Sequence, residues 1–148
     1  MHNEPSVSIV TPSYNQAPFL EKTILSVLEQ DYPRIEYLVV DGASTDGSLE
    51  IIQKHARRIS WWVSEKDAGQ ADGINKGLKR ASGDIVAWLN SDDFYLPGTV
   101  RRAVQALQHN PHAAFVYADV QVVNEMGEVI NILKYGDWSL KELASFHI

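Results

Sequence analysis

The sequence contains no cysteine, which excludes disulfides, thiolate zinc sites and cysteine nucleophiles. It also lacks the run of about 18 apolar residues that a membrane-spanning helix requires, and its start, MHNEP, lacks the basic and apolar segments of a secretory signal. No basic cluster exceeds a pair such as Arg57 and Arg58, and the net charge is −6. We therefore expect a cytoplasmic protein that has no transmembrane segment and binds no nucleic acid.

Apolar residues form 45% of the 148-residue chain and charged residues 22%, which is the composition of an ordinary globular domain. A chain of this length can bury about two thirds of its unfolded surface in one core. We therefore treat residues 1–148 as a single domain.

The first half of the chain predicts strands that alternate with helices. Residues 7–10 and 37–40 are β-branched or apolar runs typical of buried strands, the first ended by Pro12. Between them, Leu20, Ile24 and Val27 form one face of a helix. Residues 48–56 predict a second helix, and ISWWVSE predicts a third strand.

The same alternation continues toward the C-terminus. Ile74, Leu78 and Ala81 mark one face of a third helix, GDIVAWLN predicts a fourth strand, and Val100 and Val104 mark a fourth helix. AAFVYADVQVV and EVINILK then predict the two strands of an antiparallel hairpin. The predicted fold is therefore α/β, with a mostly parallel sheet flanked by helices on both faces and a C-terminal hairpin.

Each predicted strand of this sheet is followed by polar or acidic residues. TPSYN follows the first strand, DGASTDG the second, SEKD the third and NSDD the fourth. Ligands bind beyond the carboxyl ends of parallel strands, so carboxylates distant in sequence are expected to converge there. Such convergence suits Mg²⁺ or Mn²⁺, which prefer oxygen ligands and often complete their shell with water and phosphate.

These acidic residues also have purely structural interpretations. Ser44 and Asp46 are equally suited to capping the next helix and forming its turn. Asp41 directly ends an apolar strand, which favours a ligand role. Asp92 and Asp93 fit a helix-start turn as well as a site, because acids are favoured near a helix N-terminus.

Two common phosphate-binding motifs are excluded. The stretch from Gly42 to Gly47 has the spacing of a P-loop, but Ser48 stands where that loop needs its lysine. The sequence also contains no G-x-G-x-x-G, so a dinucleotide-binding Rossmann motif is absent.

Several segments, taken together and in order, resemble the nucleotide-binding half of family 2 glycosyltransferases, which have the GT-A fold. The segments are VSIVTPSYNQAPFLEKTILSVLEQDYP, YLVVDGASTDGS, DAGQADGINKGLKRASGDIVAWLNSDD and YLPG. The resemblance covers residues 7–98. It implies an enzyme that transfers a sugar from a nucleotide-diphosphate-sugar donor to an acceptor hydroxyl, with inversion at the anomeric carbon.

The resemblance also implies roles for individual residues. Mn²⁺ or Mg²⁺ would be bound by Asp93, with Asp92 reaching the ribose or the metal. Asn90 stands where many relatives carry an aspartate; its amide oxygen can still coordinate a metal but adds no charge. The nucleoside would be bound by Pro12, Tyr14 and Asp41, and the diphosphate and sugar would be flanked by Gly69, Asp72 and Asn75.

The general base that the family uses lies beyond the acidic metal motif, in an acceptor-binding half. Asp119 follows an apolar strand and is the candidate base in this chain. The family's later tryptophan-containing acceptor motif is absent. We therefore expect a C-terminally truncated or unusually short member, competent for donor binding.

The expected donor is a UDP, GDP or TDP sugar, and the expected acceptor a glycan or lipid-linked saccharide in surface polysaccharide or cell-envelope assembly. The longer protein would associate peripherally with the inner face of the membrane. The alternative function is a non-catalytic nucleotide-sugar-binding or regulatory module. A phosphoacceptor receiver domain fits less well, because Pro12, Ser13 and Tyr14 replace the acidic pair that it needs after its first strand.

Overall fold

The computed structural model describes residues 4–136. The chain divides into two compact units, Met1–Gln105 and Ala106–Ile148. Within residues 4–136, none of the helices combines the length and the apolar character needed to cross a membrane.

A four-stranded parallel sheet forms the centre of the first unit. Its strands are β1 (Val7–Ser13), β2 (Ile35–Asp41), β3 (Trp61–Ser64) and β4 (Ile85–Trp88), in the order β3-β2-β1-β4. β1 pairs in parallel with β2 and β4, and β2 pairs in parallel with β3. The carboxyl ends of all four strands therefore lie at the same edge of the sheet.

Helices cover both faces of this sheet, as the sequence predicts. They are α1 (Ala17–Leu28), α2 (Ser48–His55), α3 (Gln70–Arg80) and α4 (Thr99–His109). Because successive residues of a strand point to opposite faces, Ile9 and Val39 pack with buried residues of α1, α2 and α4. Val10 and Val40 lie on the other face, where Leu78 of α3 packs against their cluster.

The first strand does not end at Pro12, as the sequence predicts, but continues to Ser13. The carbonyl of Val10 faces β4, because it accepts a hydrogen bond from the N–H of Leu89, the residue that follows β4. Pro12 lies two residues later in the same strand, so its nitrogen also faces the side of β4. The pairing of β1 with β4 ends at Val10. The missing N–H of Pro12 therefore removes no bond from the sheet.

The buried face of α3 also differs from the prediction. Gly73 and Gly77 are its buried residues, while Ile74 and Leu78 are half-buried and Ala81 lies just after the helix ends. A glycine face lets the helix backbone approach the sheet more closely than larger side chains would allow. Hydrophobic periodicity detects side chains and therefore placed the contact face one position away.

The second unit contains the predicted antiparallel hairpin, but its first strand is shorter than expected. The strands are β5 (Val120–Val123) and β6 (Val129–Leu133). β6 offers only five residues for pairing, so residues 113–119 lie outside the strand.

Candidate functional site

A cavity of about 610 Å³ lies at the carboxyl ends of the parallel strands. Its wall is formed by the end of β1 and the loop that follows it, by the loops after β2 and β3, by the start of α3 and by the loop after β4. The volume is within the range of small-molecule binding sites. The lining residues are Pro12, Ser13, Tyr14, Gln16, Gly42, Ala43, Lys66, Asp67, Gly69, Gln70, Asn90, Ser91 and Asp92.

Four of the residues predicted from the sequence line this cavity, namely Pro12, Tyr14, Gly69 and Asp92. Tyr14 is 62% exposed, so its ring is free to cover a flat ligand. These four residues lie in three different βα units, as the sequence predicts for a site at the carboxyl ends of the strands.

Asp41 ends β2 and is completely buried, so its carboxylate contacts the chain rather than solvent. Its Oδ2 accepts hydrogen bonds from the Ser44 backbone N–H at 3.0 Å and from the Ser64 hydroxyl at 2.6 Å, and its Oδ1 accepts one from the Ser44 hydroxyl. In this arrangement Asp41 ties the loop after β2 to the end of β3 and shapes the cavity wall.

Asp46 has the structural role that the sequence left open. Its Oδ1 accepts hydrogen bonds from the Ser48 N–H and hydroxyl at the start of α2, and its Oδ2 accepts one from the Ala17 N–H at the start of α1 at 2.9 Å. These bonds, including that to the Ala17 N–H, hold the pKa of Asp46 below its usual range, against a smaller opposing effect of desolvation. Asp46 therefore fixes the loop.

The acidic pair lies in the loop that follows β4, and α1 holds the backbone of this loop in place. The Thr23 hydroxyl, buried in α1, donates to the carbonyl oxygens of Ser91 at 2.9 Å and Asp93 at 2.6 Å. Desolvation and, next, the neighbouring Asp92 carboxylate raise the pKa of Asp93. A bound cation would counteract this rise in pKa, because it attracts both carboxylates and favours the charged form of Asp93.

A short chain of side-chain hydrogen bonds connects this pair to the start of α3. Gln70 Nε2 donates to Asn90 Oδ1 at 2.9 Å, and Asn90 Nδ2 donates to Asp93 Oδ2 at 3.3 Å. The amide oxygen of Asn90, which the sequence suggests as a metal ligand, therefore already accepts a hydrogen bond from Gln70.

The residues Asp72 and Asn75 lie in α3 and do not line the cavity. Asp72 Oδ2 accepts a hydrogen bond from the Ala68 N–H at 3.1 Å and lies 3.6 Å from Lys76 Nζ. Asn75 is exposed. Asp72 therefore stabilises the turn that enters α3, next to Gly69, whose φ of 105° favours glycine.

Asp67 is a cavity residue that the sequence analysis did not select. Its Oδ1 accepts a hydrogen bond from the Gly69 N–H at 2.9 Å. Its Oδ2 lies 3.0 Å from where a Cβ of Gly42 would be and 3.3 Å from the corresponding position of Gly73. The polar residues that follow β3 indicated that this segment lies at the rim. The position of the Asp67 carboxylate beside Gly42 and Gly73, however, is visible only in the structure.

Asp119, the candidate base, belongs to the second unit. Its Oδ1 accepts a hydrogen bond from the Tyr135 backbone N–H at 3.0 Å, beside the hairpin strands. Its assignment as base stays a prediction.

Asp92 and Asp93 fit a divalent cation whose shell is completed from outside the chain. Between residues 4 and 136, no three acidic or histidine side chains are grouped closely enough to hold a metal ion. Mg²⁺ in nucleotide sites is commonly bound by one or two carboxylates together with substrate phosphates and water. The pair therefore suits a cation that arrives with a phosphorylated ligand.

Comparison with known proteins shows which family carries this site. Residues 8–139 match Glycosyl transferase family 2. The putative teichuronic acid biosynthesis glycosyltransferase TuaG of Bacillus subtilis is 44% identical over 93 residues, covering 61% of this chain and 37% of TuaG. An uncharacterized glycosyltransferase of Mycobacterium tuberculosis is 39% identical over 109 residues, covering 72% of this chain and 42% of that protein.

Solved structures agree with the sequence comparison. The mannosyltransferase PcManGT from Pyrobaculum calidifontis, in complex with GDP-Man and Mn²⁺, has a TM-score of 0.66 and 33% identity, covering 72% of this chain and 33% of that one. S. aureus TarS 1-349, in complex with UDP-GlcNAc, has a TM-score of 0.65 and 27% identity, covering 72% and 32%.

The chain thus spans about two fifths of the length of the two curated relatives described above. The parallel sheet with helices on both faces is that of the GT-A fold, as predicted. The family match covers most of the chain, including the strand ends that form the cavity and the acidic pair. The chain therefore belongs to glycosyl transferase family 2.

Proposed function

We propose that this chain is the donor-binding part of an inverting glycosyltransferase, and that it binds a nucleotide-diphosphate sugar with a divalent cation. The observation that carries the proposal is the cavity at the strand ends, which Pro12 and Tyr14 line together with Asp92. Relatives of similar fold bind UDP-GlcNAc and GDP-Man, which supports a ligand of this class.

The nucleoside would lie against Pro12 and Tyr14. Asp41 would act on the base from the cavity wall, and a direct hydrogen bond from its carboxylate requires Ser44 or Ser64 to give way. An exposed aromatic ring beside a rigid strand end suits a flat heterocycle, because stacking uses the ring face without demanding a polar partner.

The diphosphate would lie between the start of α3 and the acidic pair. Gly69 lines the cavity at this point, and Asp72 stabilises the turn behind it by accepting a hydrogen bond from the Ala68 N–H. Asn75 would flank the sugar from α3. The first N–H groups of a helix lack partners within the helix and favour negative charge. Asp92 and Asp93 would hold Mn²⁺ or Mg²⁺, and the complex of PcManGT with Mn²⁺ supports this choice.

The reaction is an inverting displacement at the anomeric carbon. The acceptor oxygen forms a bond to that carbon, the bond from the carbon to the β-phosphate oxygen breaks, and the acceptor proton passes to a carboxylate base, for which Asp119 is the candidate. A divalent cation would supply positive charge to the leaving diphosphate. This contribution is large here because the protein carries a net charge of −6.

The acceptor would be a glycan or a lipid-linked saccharide in surface polysaccharide or cell-envelope assembly. The related TuaG, a putative teichuronic acid biosynthesis glycosyltransferase, supports this class of pathway. In such a role the protein would act in the cytoplasm, at the inner face of the membrane.

Titration calorimetry with UDP, GDP and TDP tests the donor site. We expect one of them to bind in the presence of Mn²⁺ or Mg²⁺ and to bind at least tenfold more weakly in EDTA. Equal affinity in both buffers would exclude the metal role, and no binding of any nucleotide would exclude the donor site itself.

Release of nucleoside diphosphate from the matching sugar donor tests the transfer step. Release that increases with an added acceptor hydroxyl supports a transferase. Donor binding without any release, even after addition of saccharide acceptors, would support the alternative function of a non-catalytic binding module.

A further inference from the structure

We propose that Gln70 and Asn90 are positioning residues that hold Asp93 for the cation and link it to the diphosphate end of the cavity. The inference rests on the proposed function, since it names the groups that prepare the same metal site. Neither residue is assigned a catalytic role, because both act through Asp93.

The geometry forms a continuous path across the cavity. Gln70 is the first residue of α3, and its side chain crosses to the loop after β4, where Nε2 donates to Asn90 Oδ1 at 2.9 Å. Asn90 in turn donates from Nδ2 to Asp93 Oδ2 at 3.3 Å. Gln70 and Asn90 both line the cavity, whereas Asp93 is not among its lining residues.

The amide at position 90 is the chemical centre of this path. It has one acceptor and one donor group, and here the acceptor faces Gln70 while the donor faces the carboxylate of Asp93. The reversed orientation would place the amide oxygen of Asn90 against the carboxylate and its NH₂ group against that of Gln70. The carboxylate of Asp93, which can only accept, therefore selects the orientation of Asn90, and Asn90 in turn selects that of the Gln70 amide.

An aspartate at position 90 could not do the same. It could accept from Gln70 but could not donate to Asp93, and when ionised it would repel both Asp92 and Asp93. The uncharged amide therefore keeps Asp93 oriented at a low local charge. This arrangement favours a cation that arrives together with a diphosphate over a cation bound alone.

The path also joins the two parts of the site that the ligand would bridge. The diphosphate would contact the start of α3, and the cation would contact the loop after β4. Thr23 of α1 fixes the backbone of this loop. With the backbone fixed, the remaining freedom belongs to the side chain of Asp93, and this is the freedom that Asn90 restricts.

The test is the gain in nucleoside diphosphate affinity that Mn²⁺ provides, measured by calorimetry with whichever of UDP, GDP or TDP binds the wild type. Gln70→Ala and Asn90→Leu are the principal variants, since leucine keeps the size of asparagine and removes both hydrogen bonds. Gln53→Ala is the control, because Gln53 is an exposed glutamine on α2, outside the cavity. Melting curves followed by circular dichroism establish that each variant folds.

We expect Asn90→Leu to reduce the Mn²⁺-dependent gain about tenfold, the size expected for losing a hydrogen bond to a charged group. Gln70→Ala should reduce it severalfold, and the double variant should lose no more than Asn90→Leu alone, because the two bonds act in series. Gln53→Ala should keep both the affinity in EDTA and the gain from Mn²⁺ within about twofold of the wild type. Because the gain is the ratio of the two affinities of one variant, a general weakening of nucleotide binding cancels from it.

Asn90→Asp gives the opposite signature. We expect it to bind Mn²⁺ in the absence of nucleotide severalfold more tightly than the wild type does, while the nucleotide in EDTA binds more weakly because of the added negative charge. If Asn90→Asp binds Mn²⁺ alone no better than the wild type, the assigned role of the neutral amide is wrong.

The outcomes separate the two proposals. If the wild type gains no affinity from Mn²⁺, the proposed metal site and this inference both fail. If the wild type shows the gain and Gln70→Ala and Asn90→Leu keep all of it, the metal site stands and only the positioning role is overturned. Should Asn90→Leu fail to fold, Gln70→Ala alone decides, because Gln70 is exposed at a helix start.

Discussion

Gly77 of α3 lies directly against Val10 of β1. A Cβ atom at position 77 would be 2.3 Å from Val10 Cγ1 and 2.9 Å from Cγ2. Val10 is a completely buried residue of the central strand, so it cannot move aside. The close approach of α3 to the sheet therefore depends on the absence of a side chain at position 77, and α3 in turn positions Gln70 at the cavity.

We predict that Gly77→Ala destabilises the protein despite the better helix propensity of alanine. Overpacking of a core costs typically about 1–3 kcal/mol, and alanine recovers about 1 kcal/mol within a helix. A Cβ only 2.3 Å from a buried methyl group belongs at the upper end of the overpacking range, so urea unfolding should show a net loss of about 2 kcal/mol. Lys79→Ala, at an exposed position of the same helix, is the control and should change stability by less than about 0.5 kcal/mol. An unchanged or raised stability of Gly77→Ala would contradict the packing described for α3.

The arrangement of the cavity edge could be predicted because alternating strands and helices leave little choice of topology. Once the strands are parallel, their carboxyl ends must share one edge, so Pro12, Tyr14 and Asp92 had to lie near one another. The identity of the neighbouring loops followed from the same argument and needed no knowledge of side-chain contacts.

The orientation of the individual carboxylates could not be predicted in this way. Asp41 and Asp67 both follow apolar strands, yet Asp41 is buried by Ser64 from the neighbouring strand whereas Asp67 lines the cavity. The burial of Asp41 depends on a contact with Ser64, which lies 23 positions away in the sequence. Spacing along the sequence carries no information about such contacts. For the same reason, the hydrogen bond between Gln70 and Asn90 could not be predicted from the sequence.

A second prediction concerns Ser13 at the end of β1. Its Oγ is buried and has no hydrogen-bond partner among the described residues. A buried hydroxyl without a partner is destabilising, so we expect Ser13→Ala to leave stability unchanged or to raise it by up to about 1 kcal/mol. Thr11→Val on the same face of the strand is the matched control. It should lose about 1–3 kcal/mol, because the hydroxyl of the buried Tyr37 donates to Thr11 Oγ1 at 3.0 Å and would lose its partner.

A third prediction concerns the anchoring of the acidic loop by Thr23. Thr23→Val keeps the shape of the side chain but removes the hydroxyl that donates to the carbonyls of Ser91 and Asp93. The carbonyl of the buried Ser91 then loses its partner, so we expect a loss of about 1–3 kcal/mol in urea unfolding.

The same variant should also weaken Mn²⁺-dependent nucleotide binding, with little change in EDTA, because the loop that carries the acidic pair becomes less ordered. Thr45→Val, at an exposed threonine in the loop after β2, should leave both properties unchanged. A variant of Thr23 that loses stability but keeps the full gain from Mn²⁺ would show that the anchoring does not reach the site.

The fourth prediction is a pH dependence of stability that originates at Glu36, at the end of the sheet opposite the cavity. Desolvation raises the pKa of Glu36, but hydrogen bonds from the Ser8 hydroxyl and from the N–H and hydroxyl of Ser82 outweigh it and hold the pKa below the ordinary value of 4.5. A carboxyl whose pKa is lowered by folding contributes stability above its unfolded pKa, and this contribution is lost as the pH falls through the folded pKa.

Urea unfolding should therefore show a decline in stability below about pH 4.5 that is smaller in Glu36→Gln than in the wild type. Glu29→Gln, at an exposed glutamate, should follow the wild-type profile. Equal pH profiles for Glu36→Gln and the wild type would mean that these hydrogen bonds do not favour the charged form of Glu36.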